Sequence, residues 1–395
     1  MRELIHGQPV LAQPSQQPRV PAEPFDRALV VRPEEEFMKS HLVLSWLLLA
    51  PSFVLASPAA ASPAYTVTNL GGLGTKYGTT VAYGLNDAGV AVGYSIPDTG
   101  FFQGFRWVTG TSSNLGHLAN PANPFTSNFS IAEAVNLAGQ AVGWSTFTVN
   151  GLDYQHAVQW DGGQLRDLGA PAPFLSSAAK AINRAGAVVG TLTKAAGGAS
   201  GDRGFLWQAG SMTTIGTLGG RNSAAFGIND TGQVVGNATT GDGAVHAFVW
   251  RDGAITDLGA LASGTFSVAV AVNEPGDIVG VSTLVPATFS NRHAFRYHAG
   301  QMVDLGVPPP TARQTFVESF ADDINDDGVI VGSAGGRAFL YRDGAWTDLN
   351  TLIPANSGWV LTTAVAINNA GQIVGTGTVN GGTRYQGFLL TPLAP

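Results

Sequence analysis

Hydrophobic positions in this chain come in short alternating runs, four to a unit, and the unit recurs. Ser223 to Leu261 shows it: S-A-A-F-G-I-N-D-T-G-Q-V-V-G, a connection, then H-A-F-V-W-R-D-G-A-I-T-D-L-G-A-L. Apolar residues alternate with small or polar ones, and Gly, Asn and Asp bound each run, which is the punctuation of strands. No window beyond residue 61 sustains a helical period. The four runs, called a to d, predict four short antiparallel strands. N-D-x-G turns link a to b, and D-G turns link c to d. In such turns Asn and Asp can hydrogen-bond their own backbone while Gly takes a positive φ.

The Asn that ends run a falls at Asn86, Asn136, Asn183, Asn229, Asn273, Asn325 and Asn368, spaced 43 to 52 residues apart. Gly follows each Asn at three residues, Val at six and Gly again at seven; Ala precedes it by four and a hydroxyl residue by six. A period in the forties marks a stacked repeat or a propeller. The seventh unit ends after its run c, Gly387–Leu390. A spare d-type run, Tyr65–Gly71, stands before the first unit. If that run supplies the missing strand, the ring closes and leaves only short, protected edges. The expected fold is all-β: a seven-bladed β-propeller of four-stranded blades over residues 62–395, closed by the N-terminal strand completing the last blade.

Most recurrent residues have a structural reading. Small residues at alternate positions of run a, such as Ser177, Ala179 and Ala181, suit a crowded centre. The Leu, Val or Ile before each Asn packs between blades. Run c is centred on Phe in six units, and Val158 in the second should leave its blade less filled. The seven Asn read as caps of their own turns, and the Asp of D-L-G as a loop cap.

Composition adds compartment. The chain has 395 residues, a formal charge of −7 and no cysteine. Residues 1–37 lie outside the repeat and read as a non-native or disordered leader. Met38-Lys39-Ser40-His41, the apolar stretch Leu42–Leu55 and the small residues Ala56–Ser62 read as a secretory signal peptide over 38–61. Translation is expected to start at Met38, because codons for Glu34-Glu35-Glu36 would resemble a ribosome-binding site just upstream. The apolar stretch is short and carries Pro51, so no retained membrane span is expected. The mature chain should be secreted, extracellular or periplasmic, and monomeric. It keeps three lysines and no basic stripe, so nucleic acid is not an expected partner.

Candidate chemistry is sparse. There is no Cys pair, no H-x-x-x-H and no G-x-S-x-G elbow, so neither a metal nor a cofactor is expected. Asp323–Gly328 begins like a calcium loop, but Ala334 stands where such a loop needs Glu. Three residues before the Asn, Glu133, Lys180 and Asp322 break a position that is otherwise Tyr83, Phe226, Val270 and Val365. Glu133 and Asp322 are the acid/base candidates for hydrolase or lyase chemistry. Glu133 and Lys180 lie on consecutive blades, where an ion pair satisfies both. Both tight turns fall on one face and both variable connections on the other. The variable connections hold Phe101, Phe102, Phe125, Phe129, Phe147, Tyr154, Phe174, Phe289, Phe316 and Trp359. Tyr94 and Trp144 point to the same end. Loops on a rigid scaffold are where binding sits, and aromatics suit sugar faces or protein patches. The ligand-binding candidates are Tyr94, Phe101, Phe102, Trp144, Tyr154 and Trp359.

His246-Ala247-Phe248 and His293-Ala294-Phe295, with the I-N-x-x-G-x-V-V-G run, resemble the HAF-repeat family of bacterial extracellular proteins over about residues 65–395. The resemblance implies a secreted repeat protein with no defined activity. Gln103-Gly104, Arg203-Gly204 and Gln386-Gly387 replace the His-Ala pair, which weakens any role for the His as a repeated site. The expectation is a secreted, non-catalytic binding or scaffold propeller contacting extracellular carbohydrate or protein; the alternative is a polysaccharide hydrolase or lyase on the same scaffold.

Overall fold

The computed structural model describes residues 64–394 apart from 75, 77, 119–128, 150–151, 195–200, 287–290 and 311–313. The leader and signal segments expected at 1–61 lie outside the described residues, as do Phe125 and Phe289. Among the described residues there are seven four-stranded antiparallel sheets. Blades 1 to 6 each take four consecutive strands, beginning with Thr80–Leu85, Ser130–Val135, Ser176–Ile182, Gly219–Ile228, Ser267–Val272 and Phe320–Ile324. Blade 7 takes Trp359–Ile367, Ile373–Val379 and Gln386–Pro392, and its fourth strand is Tyr65–Asn69. That strand pairs in register from Tyr65 opposite Pro392 to Asn69 opposite Phe388. The ring closes as the missing run implies.

A β-bulge interrupts strand a in every blade, between Ala82 and Gly84 in blade 1 and at the matching place in the other six. The extra residue is Tyr83, Glu133, Lys180, Phe226, Val270, Asp322 or Val365, and all seven side chains line the central channel. A bulge leaves one residue unpaired and re-aims it. It also explains the Gly of run b. A Cβ on Gly236 would overlap the Ala224 carbonyl oxygen of strand a, and Gly93, Gly143, Gly190, Gly280, Gly332 and Gly375 meet the equivalent carbonyl.

Two sets of side-chain bonds lock neighbouring blades. The run-a Ser of blades 2 to 6 accepts a strand-c N–H of the preceding blade: Ser130 from Gly104, Ser177 from Ala157, Ser223 from Gly204, Ser267 from Ala247 and Ser319 from Ala294. Each hydroxyl donates in turn to a carbonyl at or just beyond the end of strand d of that blade, as Ser267 does to Gly259 at 2.5 Å. The seven Asn form the second set. Each Oδ1 accepts the N–H four residues on, capping its own turn as the sequence implies. Each Nδ2 also donates to the carbonyl of the next Asn around the ring, at 2.8 to 3.3 Å. Asn368 donates to Asn86, so the belt is cyclic and crosses the closure.

The core lies between the sheets. Phe105, Phe205, Phe248, Phe295 and Phe388 are fully buried at the centre of strand c. Val158 is also fully buried, with Leu115, Leu118 and Leu165 packed against its cluster. Ile182 packs with Val142 of the blade before it, so the residue preceding the Asn does fill the seam between blades. The b–c connection of blade 2 extends the ladder beyond Ser145: Thr146 pairs with Gln155 and Thr148 with Asp153. Among the described residues no helix is long and apolar enough to cross a membrane.

Candidate functional site

Four of the six aromatic candidates converge where blades 1 and 2 meet the variable-connection face. Tyr94 and Trp144 sit at equivalent places in strand b, opposite Val81 and Ile131 of strand a. Phe102 lies between them, its ring centroid 5.5 Å from Tyr94 and 6.0 Å edge-on from Trp144. Phe129 stacks on Phe102 at 4.3 Å, and Phe101 meets Phe129 edge-on at 5.4 Å. The cluster therefore runs from half-buried rings to Phe101, which is 37% exposed. Five rings held by one another present a preset apolar surface.

Its inner end enters the channel. Tyr94 lies 5.9 Å from Tyr83, a bulged residue of the channel wall. Burial pushes the Tyr83 hydroxyl well above the usual tyrosine range, with further contributions from Tyr94 and the carboxylate of Glu133. Burial raises Tyr94 as well.

The other two candidates stand apart. Tyr154 lies on the extended hairpin of blade 2, 5.8 Å from Phe147. Trp359 packs edge-on against the buried Phe388 of blade 7 and belongs to that blade's core. Phe174 and Phe316 are likewise buried under their own connections.

The acid/base candidates share the channel without meeting as a pair. Lys180 binds Glu133 at 2.7 Å, the ion pair that adjacency suggested. Asp322 stands three blades away around the ring. Its carboxyl is pushed up to about 7, first by burial and then by the neighbouring charge of Asp323. The surface Asp322 retains faces the channel rather than bulk solvent, so burial still governs it. Asp323 is also pushed up to about 7 by burial, against the pull of the Ile367 and Ile324 N–H groups. Those two bonds, both 2.9 Å, occupy both of its oxygens. Asn325 caps its turn and Asp323 is held by two backbone N–H groups, so the first two ligand-type side chains of the D-x-N-x-D-G stretch are already engaged with the backbone.

Two features of the site region escaped the sequence reading. The residue after each Asn does not serve its own turn. Arg184, Asp230, Glu274, Asp326 and Asn369 each donate a backbone N–H to the side chain one blade on, ending at Asp87. The chain of bonds breaks at Leu137, which is 47% exposed and offers no acceptor. The second is the partner of the His-Ala-Phe histidine. His156, His246 and His293 bind Asp167, Asp257 and Asp304, eleven residues on in strand d, at 2.9 to 3.0 Å. Where His is absent the contact persists in two blades: Arg337 again binds an Asp, Asp348, and Asn69 donates to Gln386. Each Asp of the histidine pairs also accepts the Gly N–H two residues on, the loop cap expected of D-L-G. Burial alone would raise Asp167, but the His156 hydrogen bond and charge and the Gly169 N–H outweigh it and hold the carboxyl low. A contact that persists when the His is replaced marks a strut between strands c and d of the blade.

Fold and bonding define the class: a closed seven-bladed β-propeller. No protein-family model and no curated protein matches the chain. Solved structures do. A gluconolactonase from Xanthomonas campestris is 15% identical with a TM-score of 0.40, the match covering 85% of this chain and 93% of that one. An oligogalacturonate lyase in complex with manganese is 10% identical with a TM-score of 0.45, covering 84% and 98%. The β-propeller domain of the Trilobed protease from Pyrococcus furiosus is 11% identical with a TM-score of 0.46, covering 80% and 97%. At such identities the likeness concerns the fold alone.

Proposed function

We propose that this chain is a secreted, non-catalytic binding propeller of the HAF-repeat kind. It contacts extracellular carbohydrate or protein through the aromatic cluster on the variable-connection face of blades 1 and 2. The observation that carries this reading is the convergence of Tyr94, Phe101, Phe102, Phe129 and Trp144 into one cluster that reaches the surface. The His-Ala-Phe and I-N-x-x-G-x-V-V-G runs support the family placement, and the small-residue segment before Ser62 supports export.

A hydrolase or lyase is the second reading. Its supporting observation is Asp322, a carboxyl that changes charge near neutrality inside a channel. Against it, glycoside chemistry uses two carboxyl groups flanking one bond. Glu133 is held by Lys180, and Asp323 by two backbone N–H groups.

Screening the protein against extracellular polysaccharides, with bound protein and released product read in the same wells, separates the readings. Binding without product, weakened about tenfold by Phe101→Ala or Trp144→Ala, is expected. Product formation abolished by Asp322→Asn would establish the enzyme instead. Binding to none of the sugars, with capture of a protein that the same variants release, would make the ligand a protein.

A further inference from the structure

The channel holds a second place for a ligand, which the aromatic cluster of blades 1 and 2 touches only through Tyr83. The seven bulged residues surround a chamber of about 250 Å³. Its wall is uneven. Tyr83 and Phe226 contribute aromatic rings, Val270 and Val365 aliphatic surface, and Glu133 and Lys180 an ion pair. Two carboxyl groups remain, and they differ. Asp323 has both oxygens bound to backbone N–H groups, whereas Asp322 has no hydrogen-bond or ion-pair partner among the described residues. The flanking bulges present Val270 and Val365, so neither adjacent blade offers Asp322 a donor there.

A lone carboxylate in such surroundings protonates or recruits a cation. Calcium or magnesium is a poor match, because each seeks six or more oxygen ligands. The described residues contain no group of three His, Asp or Glu that could hold one. An anion would meet the net negative charge of the wall. We infer that the chamber binds a small organic cation, an alkylammonium whose charged end pairs with Asp322 while its aliphatic body lies along Val270 and Val365. The Phe226 and Tyr83 rings close the wall on either side, where their faces favour a cation.

Binding is linked to a proton. The charged and titratable groups facing Asp322 are Asp323 on its own strand and Glu133, Lys180 and Tyr83 across the chamber. The Asp322 carboxyl, raised to about 7, must ionise to hold the ammonium. Affinity should therefore fall as pH drops below 7.

The test titrates butylammonium chloride into the full chain by calorimetry at pH 6 and pH 8, for the wild type and Asp322→Asn. Saturable one-site binding at pH 8 is expected, about tenfold weaker at pH 6. Asp322→Asn should weaken it about tenfold or more. Val365→Phe, which places in this blade the side chain blade 4 already carries, should block the chamber with Asp322 intact. No saturable binding by the wild type at pH 8, or unchanged binding by both variants, overturns the inference. So does displacement by potassium chloride at equal concentration, since a site that reads charge alone would not need the aliphatic wall.

Discussion

At the residue scale the repeated Asn does two jobs with one side chain, and only one was readable. The cap follows from N-x-x-G, because Asx turns are local. The belt does not, because its acceptor lies 43 to 52 residues on in six units, and back at Asn86 in the seventh, and is presented only once the blades are set at their angle. Asn229 is 2% exposed, caps through Gln233 N–H and donates to the Asn273 carbonyl. Asn229→Ala should cost about 2–4 kcal/mol in chemical denaturation, the sum of a lost cap and an unpaired buried carbonyl and N–H. A loss no larger than that of an exposed control such as Arg251→Ala would show that the belt is incidental. Asp322 carries the opposite sign. Its folded-state pKa, about 7, lies above the ordinary 3.8, so between these values the folded chain binds the extra proton. Stability from this group is present at low pH and is lost as pH rises toward and through 7. Asp322→Asn should therefore raise the melting temperature at pH 8 and match the wild type near pH 4. Equal shifts at both pH values would contradict the burial argument.

At the element scale, the alternation of runs and the turn residues made the strands and their order legible, but not the bulge. Position three before Asn looked like one more place in an alternating strand; the structure makes it the unpaired residue of a bulge. That is why Glu133, Lys180 and Asp322 are tolerated there: they face a channel rather than a packed seam. The ladder beyond Ser145 could have been read. Asn150-Gly151 between T-F-T-V and L-D-Y-Q is a strong hairpin signal. The hydroxyl six residues before Asn was visible as a repeat, but its partners sit in the preceding blade. Ser267 accepts the Ala247 N–H at 2.7 Å and donates to Gly259. Ser267→Ala leaves both buried groups unpaired and should cost about 2–3 kcal/mol. The same change at Ser211, exposed at the start of strand d in blade 3, should be near neutral in the same urea titration.

At the scale of the whole molecule, ring closure was the most legible feature, because a missing run at one end matched a spare run at the other. A chain beginning at Gly71 removes Tyr65–Asn69 and uncovers the edge of Gln386–Pro392. It should melt at lower temperature and self-associate through that edge, seen as larger species by light scattering. Addition of a peptide of the Tyr65–Asn69 sequence should partly reverse that association. The site was legible in part. Tyr94, Phe101, Phe102 and Trp144 were separable from Trp359 only once the packing of blade 7 placed Trp359 on Phe388.

In the proposed function the ring is a frame for an aromatic binding surface over blades 1 and 2. The most direct measurement is equilibrium binding of the wild type, Phe101→Ala and Trp144→Ala to a panel of extracellular polysaccharides, with released product assayed in parallel. The account predicts saturable binding to at least one polysaccharide, about tenfold weaker in both variants, without product. Binding that both variants retain in full, or release of product by the wild type, would contradict it.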